Sequence, residues 1–206
     1  INNEFGLASD AAFRESFEKL GGRITAVEHY GITDRDVRSQ IVKLKYSTPQ
    51  AIFVGGFGEG YGACIKQIRE MKFEGLLLTT NSLSIPYFQD QTWPASEGAY
   101  FTSTVYDEYY NTPEAIKFTN EYKRRFGRSP SYIAAFAYDS LKLTALAIEK
   151  GGYTSEGVRN ALFAIHDYEG LAGTMGFDNQ GEVSFRLVIK RIENGRPVVV
   201  HTNDNF

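Results

Sequence analysis

The sequence holds one cysteine, one tryptophan, two methionines and three histidines among its 206 residues. A single thiol excludes an internal disulfide and any multi-cysteine metal site. That thiol, Cys64, falls on the apolar stripe of a predicted helix, where a free cysteine acts as a small hydrophobe. His29, His166 and His201 lie far apart and lack the short spacings with which a metal site gathers ligands. No apolar run approaches the ~20 residues of a bilayer span. Positive charge is not in excess: 22 Lys and Arg face 25 Asp and Glu, for a net charge of -3 and a pI near 5.7. A nucleic-acid partner needs a concentrated basic face, so it is excluded. The densest basic group, Lys123, Arg124, Arg125 and Arg128, sits at a predicted helix end, where the helix dipole favours cations. There is no Gly-x-Ser-x-Gly elbow, no phosphate-loop lysine, and no carboxylate pair set on one rigid edge. These absences point to a binding protein without cofactor or metal rather than to an enzyme. The chain opens Ile1-Asn2-Asn3 without methionine and is read as trimmed, so the lack of a leader says nothing about export.

What is present is ordinary globular material, 42% hydrophobic and 23% charged. Along the first two-thirds, amphipathic helices alternate with short apolar strands. Ser9 or Asp10 is expected to cap a helix with Phe13, Phe17 and Leu20 on one face, closed by Gly21-Gly22. A strand is expected from Arg23 to His29, then a helix carrying Val37, Ile41 and Leu44. Ala51 to Val54 and Leu76 to Thr79 are continuous apolar runs, the pattern of buried parallel strands, and Ala99 to Val105 is a third. Between the first two lies a helix burying Cys64, Ile65, Ile68 and Met71. This alternation predicts an α/β fold with a parallel sheet flanked by helices.

Such a sheet binds ligands at the carboxyl ends of its strands. Three stretches converge there: Asn3-Glu4-Phe5, Gly55-Gly56-Phe57 and Thr80-Asn81-Ser82. The strand expected before Asn2 has only Ile1 left of it, so the sheet should begin one strand short. From Thr112-Pro113 onward three helices follow, ending near Gly127, Lys150 and Ile165. No strand is expected between them. The middle one carries Ile133, Phe136, Leu141, Leu143, Leu146 and Ile148 nearly all round, so it should be buried on several sides. Material outside the ordinary fold, including a second copy, is the expected cover for residues 132–150. The chain should finish as a strand at Phe177, a strand from Val183 to Ile192, an Asn194-Gly195 hairpin turn, and a return strand.

Gly58, Gly60 and Ala63 satisfy a loose dinucleotide-binding spacing between a strand and a helix. That fingerprint wants an acidic residue at the end of the next strand, where this chain has Thr80-Asn81. The favoured reading is a glycine-rich turn that gives a small ligand access to backbone N–H groups. A nucleotide-dependent enzyme stands as a distant alternative.

Four stretches together resemble the type I periplasmic solute-binding proteins of ABC transporters, in their branched-chain amino-acid branch. They are Phe5-Gly6, the unit from Ala51 to Arg69, Ala137-Tyr138-Asp139-Ser140, and Gly173 to Glu182. The resemblance implies a two-lobed protein, with residues 1–104 and 177–206 in the second lobe and 105–176 in the helical return to a first lobe largely missing here. It implies a small polar solute, such as an amino acid or a related carboxylate or amide, held in a cleft between lobes. It further implies a membrane permease as partner and a periplasmic or other extracytoplasmic location, compatible with a lipid anchor. By matched position Phe5 and Phe57 would be aromatic walls, Gly56 would lie beside them, and Tyr132 or Ile133 would reach in from the other lobe. Asn81 stands where amino-acid binders often carry a carboxylate for the ligand's ammonium group, and Glu59 is the candidate substitute. A sensing domain of a receptor or regulator with the same fold is the alternative function.

Overall fold

The computed structural model describes residues 1–106 and 112–202. Residues 107–111 and 203–206, parts of the two expected lobe ranges, lie outside it. In chain order the elements are α1 (Glu4–Lys19), α2 (Arg38–Tyr46), β1 (Ala51–Val54), α3 (Gly58–Glu70), β2 (Leu76–Thr79), a 3-10 turn (Asn81–Ser84), α4 (Pro86–Thr92) and β3 (Tyr100–Thr104). They continue with α5 (Pro113–Phe126), α6 (Tyr132–Gly151), α7 (Ser155–Phe163), β4 (Tyr168–Gly170), β5 (Gly173–Phe177), β6 (Val183–Phe185), β7 (Leu187–Glu193) and β8 (Arg196–Thr202). The chain forms two compact units, one of Ile1–Thr102 with Lys190–Val198, the other of Ser103–Ile189 with the residues from Val199.

The first unit is built on a sheet of order β1-β2-β3-β7-β8. β1 and β2 run parallel in the register Ala51 to Leu76 through Val54 to Thr79, and Leu78 pairs with Tyr100 of the parallel β3. α3 packs on it because Tyr61, Ile65 and Ile68 recur at helical spacing and are all but fully buried. Val37 and Ile41 of the α2 region, with Leu77, Leu83 and Phe101, complete this core. Each such side chain stabilises the fold by about 1.5–3 kcal/mol. The hairpin joining β7 to β8 turns on Asn194 (φ 52°) and Gly195 (φ 75°), two successive left-handed residues as a tight turn of this kind requires.

Three expectations need correction. The first helix begins at Glu4, not near Ser9, because Asn3 caps it: its backbone is extended and its side-chain oxygen accepts from Gly6 N at 2.9 Å. Leu20 is off the core face at 87% exposure. The run Arg23–His29 is no strand, since its backbone makes no hydrogen bond to other backbone among the described residues. Side chains hold it instead: Lys43 pairs with Glu28 at 3.0 Å, Gln40 donates to the His29 carbonyl at 3.3 Å, and Thr25 bonds Ser47 at 2.9 Å.

In the second unit the three helices do have strands with them. β4, β5 and β6 form a small antiparallel sheet, so the expected Val183–Ile192 strand is two, leaving one sheet at Phe185 and joining another at Leu187. Phe185 of that small sheet meets Phe136 of α6 edge to face at 5.3 Å. α6 buries one face only, through Ala135, Asp139, Leu143 and Ala147 at four-residue steps. Within this chain Ile133 and Leu141 of the helix are 53% and 71% exposed. Its Asp139 carboxylate accepts from the backbone N–H of Leu171 and of Ala172, each at 2.9 Å. Burial pushes the Asp139 carboxyl pKa up, against the downward pull of those two donors.

Candidate functional site

β1 and β2 run in the same direction, so the segments that follow them emerge on one edge of the sheet. After β1 comes Gly55-Gly56-Phe57, with Phe57 as the N-cap of α3; after β2 come Thr80 and the 3-10 turn that Asn81 opens. A phenyl ring cannot accept from the first helical N–H groups, and Phe57 makes no capping hydrogen bond. Its ring stands instead 5.7 Å from that of Phe5, tilted by 53°. Phe5 is therefore in the first turn of α1 rather than before the helix, and is 45% exposed.

Asn81 is brought to the same place by its neighbours. Thr80 Oγ1 donates to the Gly56 carbonyl at 3.3 Å and Ser82 Oγ to the same oxygen at 2.6 Å. These bonds clamp the β2 turn onto the residue preceding Phe57. Behind the clamp, Tyr61 OH and Thr79 Oγ1 share a buried hydrogen bond of 2.6 Å. Asn81 itself is half-buried, and its side-chain amide has no hydrogen-bond partner among the described residues. Phe5, Phe57 and Asn81 thus occupy one edge of the first unit.

Part of the glycine run after β1 is required by packing. A Cβ on Gly56 would lie 2.2 Å from Tyr30 OH, and one on Gly60 would lie 2.3 Å from the Gly31 carbonyl oxygen. At Gly56, Gly58 and Gly60 the chain is bare so that the segment Tyr30–Ile32 can lie against it, and Gly60 N donates to the Ile32 carbonyl at 3.1 Å. Gly56 takes part in the edge through its carbonyl, which is already bonded. Tyr30, which the sequence reading missed, donates its hydroxyl to the Gly55 carbonyl at 3.0 Å, and burial pushes that phenol's pKa up. The signal for it was the turn Gly31-Ile32-Thr33-Asp34, whose aspartate accepts from Gly31 N at 2.7 Å.

Glu59 does not offer a free charge. Its carboxylate accepts from Arg35 Nε at 2.8 Å, and this hydrogen bond and ion pair hold the carboxyl below the usual carboxylate range. It shares the outer groove of α3 with Gly62, Lys66, Tyr87 and Gln91. Tyr132 opens α6 in the second unit, half-buried, with its ring edge-on to Phe136 at 6.0 Å and its phenol pKa raised by burial. Among the described residues no group of three or more His, Cys, Asp or Glu is placed to hold a metal ion. No described helix is long and apolar enough to cross a membrane.

Comparisons with known proteins agree with this architecture. The leucine-, isoleucine-, valine-, threonine- and alanine-binding protein of Pseudomonas aeruginosa is 24% identical over 180 residues, 86% of this chain and 47% of that protein. The chain thus spans about half the length of that curated relative. Among solved structures, a leucine-binding protein of Thermotoga maritima superposes with a TM-score of 0.88 at 23% identity, covering 98% of this chain and 58% of the other. The branched-chain amino-acid transporter substrate-binding protein of Streptococcus pneumoniae, solved with isoleucine, gives a TM-score of 0.82 at 26% identity, covering 97% and 57%. The sequence profile of the periplasmic binding proteins matches residues 2–196, and members of that group are solute-binding proteins of ABC transporters, not enzymes. With the profile spanning nearly all of its length, and with the type I arrangement of strands and helices described above, this chain belongs to the periplasmic binding protein family.

Proposed function

We propose that the protein is the extracytoplasmic solute-binding component of an ABC transporter, taking a small solute at the edge formed by Phe5, Phe57 and Asn81 and delivering it to a membrane permease. On this reading residues 1–104 and 177–206 belong to the family's second lobe and residues 105–176 are the helical return to its first. The observation that carries the proposal is the Phe5–Phe57 pair at 5.7 Å beside the Gly56 clamp. These rings stand at the carboxyl ends of parallel strands, where a ligand can meet both apolar surface and a polar side chain.

The test is a thermal-shift screen of the natural full-length protein against matched solutes: amino acids, the corresponding acids lacking the amino group, and their amides. A ligand at a hundred times its Kd stabilises the fold by about 2.7 kcal/mol, which such a screen detects. Phe57→Ala should weaken the best ligand at least tenfold, because the wall loses its ring and Phe5 its partner. No stabilisation by any solute in the screen would count against the proposal. So would an unchanged affinity in the Phe57 variant.

A further inference from the structure

We infer that Asn194 is a site of covalent modification: it deamidates to aspartate and isoaspartate when the hairpin between β7 and β8 opens, and Glu97 keeps it intact while the hairpin is closed. Asn194-Gly195 is the one Asn-Gly pair in the sequence. Glycine has no Cβ, so nothing shields its nitrogen from the side chain before it. In the reaction a solvent hydroxide takes the Gly195 amide proton and the nitrogen bonds to Cγ of Asn194. The Cγ–Nδ2 bond then breaks, Nδ2 leaves as ammonia with a proton returned by water, and a five-membered succinimide remains. Water adds to one of the two ring carbonyls and opens the ring, to aspartate or, with the backbone rerouted through Cγ, to isoaspartate. Water is the only reactant consumed, and nothing is oxidised or reduced.

The closed turn opposes this chemistry in two ways. Ring closure needs the Asn194 side chain and the Gly195 nitrogen to eclipse one another about the Cα–C bond. Asn194 is held left-handed at φ 52°, where ψ lies near about +47° and the two are far from eclipsed. The second restraint is Glu97, whose carboxylate takes both amides of the turn: one oxygen accepts from Asn194 N at 3.0 Å, the other from Gly195 N at 3.2 Å. The attacking nitrogen must lose its proton, and a negative charge so close opposes that loss. Trp93 packs against the same glycine, its ring carbons 3.4–3.5 Å from where a Cβ would stand, which restricts rotation of that peptide. The Asn194 side chain itself is exposed within this chain and makes no hydrogen bond among the described residues, so water reaches its Cγ. Gly98, next to Glu97, donates to the Ile192 carbonyl at 3.0 Å, and Glu97 and the hairpin turn belong to the same unit. The carboxylate and the turn therefore separate only when this pairing opens. Aspartate at 194 would set a second negative charge beside Glu97, and isoaspartate would lengthen the backbone by one atom, so a modified turn would not close as before.

The experiment is peptide mapping by mass spectrometry on the natural full-length protein aged in mildly alkaline buffer, with a synthetic peptide of residues 190–198 as the unprotected reference. Conversion is read as replacement of the Asn194 side-chain NH2 by OH, and isoaspartate by its separate elution. The expected result is that Asn194 converts at least tenfold more slowly in the protein than in the peptide. Glu97→Ala should raise its rate in the protein severalfold, and Glu97→Gln, which keeps one acceptor oxygen without the charge, should fall between parent and alanine variant. Asn81, followed by Ser82 in the turn bonded to the Gly56 carbonyl, is the internal control. A variant that merely unfolds converts both asparagines faster, whereas loss of the Glu97 contacts speeds Asn194 alone. Equal rates in protein and peptide would overturn the protection. An unchanged Asn194 rate in both Glu97 variants, or a matching rise at Asn81, would overturn the part given to Glu97. No conversion in the peptide would overturn the site itself.

Discussion

Replacing Asp139 by alanine tests whether one buried carboxylate organises the second unit. In the parent its two oxygens accept from Leu171 N and Ala172 N at 2.9 Å each, and both residues are buried. Alanine removes both acceptors and leaves two buried donors unsatisfied, at about 1–3 kcal/mol each. Against this stands relief from burying a carboxyl, the cause of its raised pKa. The expected net loss is about 2–4 kcal/mol, read as a lower urea midpoint with unchanged slope. The pH dependence carries a second signature. The folded carboxyl holds its proton more tightly than the unfolded one, whose pKa is near 3.8. Parent stability therefore falls as pH rises through that window, and the alanine variant lacks this slope. The deficit of the variant should be largest in acid and narrow as pH rises. Amide exchange at Leu171 and Ala172 should accelerate beyond the effect of the global loss. A deficit below about 1 kcal/mol, or one that widens as pH rises, would refute the reasoning.

Gly60→Ala should destabilise the first unit by about 1–3 kcal/mol in the same urea assay, because the added Cβ meets backbone at Gly31 O that cannot turn aside. Gly170→Ala should act like a weaker Asp139 variant, since its Cβ would lie 2.7 Å from Asp139 Oδ2, and exchange at Ala172 would report it. Cys64 is buried and its thiol is pushed up to about 12. At pH 8 about one part in ten thousand is thiolate, so labelling by a disulfide reagent should be slow in the folded protein and complete on unfolding; rapid labelling without unfolding would contradict the burial.

The parts of the fold that could be read from the sequence are those whose signal is local. Ala51–Val54, Leu76–Thr79 and the helix holding Ile65 and Ile68 each declare themselves by a short apolar run or a helical repeat. Of the small sheet only the strand at Phe177 and the run from Val183 declare themselves; β4 and the start of β5 do not, because Gly170, Gly173 and Gly176 are poor strand formers and their pairing is set by neighbours. The 3-10 turn after Thr80 and the seven-residue α4 carry no such signal, for they are too short to show periodicity. At the site, the strand-end rule placed Phe57 and Asn81, since direction of chain and position on the strand suffice. It could not show that Arg35 occupies Glu59, for the two are 24 residues apart and meet only in the folded chain.

The first unit is discontinuous, and that has a consequence for its synthesis. β7 supplies Ile192, whose N–H bonds the Ala99 carbonyl and whose carbonyl accepts from Gly98 N, each at 3.0 Å. During translation the region around β3 is finished some ninety residues before this partner exists, since 192 follows 99 by 93 positions. At about 5–20 residues per second the growing chain waits several seconds with one flank of its sheet open. Residues 103–189 leave the ribosome during that interval. An open strand edge is a template for wrong partners, so the nascent chain is most exposed to aggregation then, and a stall downstream of residue 104 would prolong the danger.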